Sequence, residues 1–176
     1  MPGALYLEGD GVSLYTIEED DLEFLRDTIN HPQVRPTIHS RAPINLTQET
    51  KHFEESISAE TAANLLICVD GERAGTIGLG PFEAGDGNAE IGLVLAPEFW
   101  GAGHGTEASQ LMTDYAFRER GLHRVFADVL ASNEASARIW QGLGYRQEGT
   151  FEEAAILDGE RVAIERYAIL AREWRA

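Results

Sequence analysis

Between Gly101 and Gly105 every second residue is glycine, and the run falls where the hydrophobic pattern changes its period. Before it, residues 89–95 read as a strand stopped by Pro97. After it, Gly103 to about Arg120 reads as a helix, with Ala108, Leu111, Met112 and Tyr115 at the i, i+3, i+4, i+7 positions. The run therefore joins the end of a strand to the start of a helix. Glycine admits positive φ and lets another group come close to the backbone. The first N–H groups of the helix have no intrahelical partners and lie at the positive end of its dipole. Together these features form an anion site suited to a pyrophosphate; a tight strand-to-helix turn without a ligand uses the same glycines. A Walker A loop is excluded, because the single lysine, Lys51, follows Thr50. The dinucleotide fingerprint fails as well. It would start at Gly101 and Gly103 but meets Thr106 at its third glycine, late in a chain without repeated βαβ units.

The rest of the chain supplies the sheet. Residues 5–8 and 12–17 read as short strands about the turn Glu8-Gly9-Asp10-Gly11, and Glu18 to about Ile29 as a helix with acids in its first turn. Residues 31–46 hold three prolines and read as loop; helix is expected again from Thr47 to about Ala63, with Phe53 and Ile57 on one side. Residues 65–69 and 74–79 around Asp70-Gly71 give a hairpin signal. Residues 125–130 read as a strand and 133–142 as a short helix, ended by Gly144. Two last strands, roughly 145–151 and 162–170, flank Asp158-Gly159. The order is β-β-α-α-β-β-β-α-β-α-β-β, an α/β (α+β) arrangement in a single domain spanning 1–176, with helices on both faces of a mixed sheet.

Composition excludes several classes of function. Thirty acidic against fourteen basic residues leave a net charge of −16, so the basic footprint of a nucleic-acid binder is absent. No apolar run approaches the ~20 residues of a membrane span, and the N-terminus lacks a basic n-region followed by an apolar stretch. Cys68 is the single cysteine, which excludes an intrachain disulfide and a cysteine-based zinc cluster. These features predict a cytoplasmic protein without membrane or nucleic-acid partners, a monomer or homodimer. An acidic surface poor in lysine suits a salt-rich (halophilic) cytoplasm; a high-GC genome trades lysine for arginine in the same way. Residues 1–88 carry sixteen acids and five bases, residues 89–176 fourteen and nine, so the second half is the expected host of an anionic ligand.

The glycine loop, Trp100-Gly101-Ala102-Gly103-His104-Gly105-Thr106, resembles the acyl-CoA pyrophosphate loop of the GCN5-related N-acetyltransferases (GNAT), whose pattern is Gln/Arg-x-x-Gly-x-Gly/Ala. Trp100 takes the first place, Gly103 and Gly105 the glycine places. A tryptophan there, followed by Gly-x-Gly-x-Gly-Thr-Glu-Ala, is similar to the branch containing ribosomal-protein N-terminal and some polyamine acetyltransferases. A second motif matches downstream: Asn133-Glu134-Ala135-Ser136, then Gly144-Tyr145 where Gly-Phe is usual. The resemblance implies a mostly antiparallel sheet of six to seven strands and acetyl-CoA as co-substrate. The acceptor would be a primary amine, on a protein N-terminus, a polyamine or another small molecule.

It also implies roles. The N–H groups of Gly101, Ala102, Gly103, His104, Gly105 and Thr106 would hold the pyrophosphate. Leu93 and Leu95 would pair with the extended pantetheine arm like an added strand, and Asn133 and Ser136 would meet it from the other side; Asn133 reads equally as a plain N-cap. A neutral amine must attack, yet a lysine-type amine has pKa ~10.4 and an α-amine ~7.7–8.0, so a base is required. Glu90 matches the position of a glutamate base in several members, with Glu152 and Glu153 as rivals, and Val94 would offer its N–H to the oxyanion. Trp140 stands where many members place a tyrosine that protonates the thiolate. In the ribosomal-protein branch the motif serine, here Ser136, has been suggested for that role. Trp140 then packs around the pantetheine or in the core. The departure keeps open a non-catalytic acyl-CoA sensor of the same fold. Cys68 reads as a small core residue, which disfavours a covalent acetyl-enzyme. His104 reads as a loop residue beside the phosphates, and His31, His39, His52 and His123 show no ligand spacing, so no metal is expected.

Overall fold

The computed structural model describes residues 2–38, 42–82 and 85–174. In chain order they form β1 (Leu5–Glu8), β2 (Ser13–Thr16), α1 (Leu22–Asn30), α2 (Leu46–His52), β3 (Ala63–Val69), β4 (Glu72–Gly80), β5 (Asn88–Leu95), α3 (His104–Arg118), β6 (Arg124–Leu130), α4 (Glu134–Gly142), β7 (Arg146–Leu157) and β8 (Glu160–Leu170). The expected element order is the observed one. The sheet has eight strands in the order β1-β2-β3-β4-β5-β6-β8-β7, one or two more than the resemblance implied. The surplus is at the N-terminus: β2 pairs with β3 from Ser13↔Cys68 to Thr16↔Leu65, which brings the first hairpin into the common sheet. Only β5 and β6 run parallel.

Each face of the sheet has its own core. Leu65, Ile67, Ile77, Ile91, Val125 and Ala127 pack under Ala108, Met112 and Ala116 of α3 and Trp140 of α4. On the other face Ile17, Leu22, Leu25, Leu66 and Cys68 pack with Phe24, Phe53 and Ile57. The period-2 alternation of β3 feeds both, which is why this strand reads as nearly continuous apolar sequence. Cys68 is buried, as expected of a small core residue. The start of α1 is tied to β4 through Asp21, fully buried, which accepts from Arg73 Nε at 2.7 Å and from the Glu18 N–H at 2.9 Å. No helix among the described residues is long and apolar enough to cross a membrane.

Two boundaries differ from expectation. The helix expected to reach about Ala63 stops at His52, and one wide turn follows, Phe53–Ile57, in which the Ser58 N–H reaches back to the Phe53 carbonyl at 2.9 Å. Glu54, Glu55 and Glu60 place negative charge at the negative end of the helix dipole, where α-helix is least favoured. The closing strands are longer than expected, because β7 bulges between Phe151 and Ala155 with Glu153 at φ +53°. The extra residues break the alternation that marks a strand in sequence.

Candidate active site

The ladder between β5 and β6 is three residues long, Asn88↔Arg124 to Glu90↔Phe126. Beyond it the strands part, and the gap opens into a cleft of about 700 Å³ lined by Ile91 to Leu95, by Ala127 to Val129, and by the starts of α3 and α4. Parallel neighbours that separate leave one edge of β5 without a backbone partner, and that edge accepts an added extended chain.

Which amides face the cleft follows from the other edge. β5 pairs with β4 throughout, from Gly75↔Leu95 to Gly80↔Glu90, and the Ala96 N–H donates to the Ala74 carbonyl at 2.9 Å. Backbone groups alternate sides along a strand, so Val94 and Gly92 also turn theirs toward β4, while Ile91, at the end of the ladder, and Leu93 and Leu95, beyond it, turn theirs to the β6 side. The Leu95 carbonyl confirms the sense, accepting from the Trp100 indole N–H at 2.9 Å on that side. The N–H of Val94, expected to face an oxyanion, therefore belongs to the sheet; the cleft-facing amides are those of Leu93 and Leu95. Val94 still lines the cleft.

The glycine loop closes one end of the cleft. Gly101 (φ +75°) and Gly103 (φ +88°) adopt the left-handed conformation that glycine tolerates, and a Cβ on either would meet no protein atom within 4 Å. Gly103 is the N-cap of α3 and no side chain caps it, so the first helical N–H groups point to open space. These features fit a pyrophosphate, and Gly101, Gly103, His104, Gly105 and Thr106 all line the cleft. Gly105 differs from its neighbours: a Cβ there would lie 3.0 Å from Ile139 and 3.2 Å from Leu93, so its role is close packing of α3 between α4 and β5. Trp100 is exposed, held by its bond to Leu95, and His104 stands edge-on to Phe99. Ala102 does not line the cleft.

The opposite wall is α4. Asn133 caps it, accepting from the Ser136 N–H at 3.1 Å, and also donates to the Thr37 carbonyl at 3.2 Å, so it ties the loop after α1 across the cleft. Trp140 is buried against Tyr145, and its indole N–H donates to Ser136 Oγ at 3.2 Å. Ser136 thus lines the cleft with its hydroxyl oxygen held by the indole N–H.

Glu90 lies on the sheet face away from α3, on the same side as its partner Phe126. There Arg166 makes two 2.7 Å bonds to Asp128 and packs over Phe126 and Phe151, and Arg124 pairs with Glu148. Glu90 is exposed as a residue, yet partial burial of its carboxyl raises its pKa. The Asp128 charge raises it further, and Arg166 opposes both. Such a shift moves a carboxylate toward the range of a working base. Glu152 and Glu153 are exposed on the β7 bulge, and neither they nor Glu90 are among the residues lining the cleft; Glu90 stands one residue before its lining begins at Ile91.

Sequence reasoning passed over Arg138, Thr37, Ile38 and Phe99, all of which line the cleft. Arg138 is the one arginine among the described residues that line the cleft; its position two residues past Ser136 on α4 was the available signal. Of the histidines, His31 accepts from the Gln33 N–H, His123 donates its backbone N–H to Gly87, and His39 lies outside the described residues. No group of three or more His, Cys, Asp or Glu that could hold a metal occurs among the described residues.

Comparison with known proteins adds a family. A model described as an Acetyltransferase (GNAT) domain matches residues 12–146. An uncharacterized N-acetyltransferase p20 of Bacillus licheniformis is 26% identical over 168 residues, covering 93% of this chain and 94% of its own. The spermidine N(1)-acetyltransferase of Escherichia coli K12 is 24% identical over 149 residues, covering 85% and 80%. Among solved structures, the spermidine N-acetyltransferase from Vibrio cholerae in complex with CoA and spermine superposes with a TM-score of 0.88 at 19% identity, over 94% of this chain and 98% of that one.

Proposed function

The chain belongs to the GNAT acetyltransferase family, and from that premise we propose that it moves an acetyl group from acetyl-CoA to a primary amine by direct attack in a ternary complex. The observation that carries this reading is the parting of β5 from β6 after Glu90, which opens a cleft ending at the uncapped start of α3. Gly101, Gly103 and the first amides of α3 receive the pyrophosphate, with Arg138 at the rim. The N–H groups of Leu93 and Leu95 meet the pantetheine arm and the thioester carbonyl, and Leu93, the deeper of the two, holds the developing oxyanion. Glu90 takes the proton that the attacking amine loses as its nitrogen bonds to the carbonyl carbon. The C–S bond breaks, and the departing thiolate gains its proton through Ser136, whose hydroxyl takes a replacement proton from solvent in the open cleft. Cys68 is buried on the far core and takes no part.

The acceptor is a cationic primary amine. The spermidine-acetylating relative supports this class, as does the excess of acids in residues 1–88, which build the wall of α1 and α2. A panel of polyamines, simple amines and peptide N-termini, assayed with acetyl-CoA for free-thiol release at low and high salt, tests the reading. Turnover on at least one amine, dependent on Glu90, is expected. Tight acetyl-CoA binding with no thiol release across the panel would instead make the chain an acyl-CoA sensor.

A further inference from the structure

A second cavity, of about 80 Å³, lies on the other face of the sheet, between α1, α2 and strands β3, β4 and β5. Phe24, Leu25, Ile29 and Ile57 give it apolar walls. Glu49 of α2 lines it while only 1% exposed, and no hydrogen-bond donor among the described residues meets its Oε1. The wide turn after α2 is what swings Ile57 onto the wall. Wide helical turns occur often at functional sites.

A buried carboxylate oxygen without a donor is costly, and a fold retains one where something else satisfies it. Among the described residues, His52 at the exposed rim is the only other titratable residue lining the cavity. An alkylammonium would bring both the missing charge and three donors, and its methylenes suit the apolar walls. Burial pushes the Glu49 pKa up and the charge of His52 opposes it; a cation arriving in the cavity would act in the same sense as His52.

The cavity adjoins the cleft, since Thr76 and Val94 line both. Glu90, Gly92 and Val94 alternate along one face of β5, and the space over Gly92 is clear of protein atoms within 4 Å of a would-be Cβ. A flexible chain can therefore lie across Gly92, with one end beside Glu90 and the other in the cavity. We propose that the cavity is an acceptor subsite in which Glu49 holds the second, non-reacting ammonium of a diamine or polyamine. This assignment rests on the acetyltransferase reading for the reacting end alone.

The test compares α,ω-diamines of increasing length with monoamines of matched length on the parent chain and on Glu49→Gln, which keeps shape and removes charge. The ratio of kcat/KM for the preferred diamine to that for its matched monoamine is expected to fall at least ten-fold in Glu49→Gln. Glu49→Asp, which keeps the charge but withdraws it by one methylene, is expected to lose less. Calorimetric binding of 1,8-diaminooctane to the full chain without acetyl-CoA gives a readout free of turnover, and the Gln variant is expected to abolish it. A parent that binds the diamine through Glu49 yet acetylates no amine would support the subsite and overturn the catalytic reading. An unchanged ratio, or diamine binding indifferent to both substitutions, would overturn the subsite.

Discussion

The indole N–H of Trp140 donates to the hydroxyl oxygen of Ser136 one helical turn before it, at 3.2 Å. The family resemblance implies a tyrosine hydroxyl at this position; here the residue instead holds the hydroxyl of another. A donor on Oγ fixes the rotamer of Ser136 and polarises its O–H, which makes it a better acid toward a thiolate. Ser136→Ala is expected to slow acetyl transfer about 10²-fold, the low end for acid catalysis. Trp140→Phe keeps most of the buried volume and removes the donor. It is expected to lower kcat several-fold while leaving KM for acetyl-CoA near the parent value. In the Ser136→Ala background, Trp140→Tyr is expected to recover part of the rate and Trp140→Phe none. Equal rates in all variants would mean that the thiolate departs to water.

Glu90 titrates against two neighbours of opposite effect, and the sign of each is testable. Partial burial and Asp128 raise its pKa, while Arg166 lowers it. A raised carboxylate pKa leaves the base protonated over a wider acid range, so the acid limb of kcat/KM is expected above the ordinary ~4.3 of a glutamate. It should be measured with a weakly basic amine, whose own titration lies outside the window. Arg166→Gln removes the favourable charge and unpairs Asp128, and both changes disfavour ionised Glu90, so the limb is expected to move to higher pH. Glu90→Gln is expected to lower turnover at neutral pH, with partial recovery as pH rises and the free amine fraction grows. Full activity in Glu90→Gln would pass the role to Glu152, Glu153 or solvent.

What was legible in the sequence is what leaves a local mark. The glycines at 101 and 103, Pro97, Asp70-Gly71 and the helical spacing of Ala108, Met112 and Tyr115 each report a backbone conformation or one buried face. They gave the element order and the loop-to-helix site. The parting of β5 from β6 leaves no such mark, because residues 91–95 alternate in the same way whether or not a neighbour pairs with them. For the same reason Val94 and Leu93 could not be told apart as amide donors: the choice depends on register with β4, a pairing between distant residues. Glu49 was invisible for another reason. Among Glu54, Glu55 and Lys51 it reads as one more solvated acid, and only the packing of α2 onto the sheet buries it.

The glycines of the loop separate ligand binding from folding, because their missing side chains face different things. At Gly103 an added side chain meets no protein atom within 4 Å, and the cost lies in its φ of +88°, roughly 1–3 kcal/mol for a non-glycine residue. Gly103→Asp should therefore fold, with a lowered melting temperature, and place a negative charge where the phosphates are held. Its acetyl-CoA affinity is expected to fall by more than ten-fold. At Gly105 the φ is ordinary, but a Cβ would press on Ile139 at 3.0 Å and Leu93 at 3.2 Å, an overpacking worth about 1–3 kcal/mol. Gly105→Ala is expected to lower the melting temperature by several degrees and to spread α3 from α4. Its loss of affinity should be smaller than that of Gly103→Asp. Thermal melting and calorimetric titration of acetyl-CoA on both variants decide the matter. Parent-like affinity in a folded Gly103→Asp would remove the pyrophosphate from this loop.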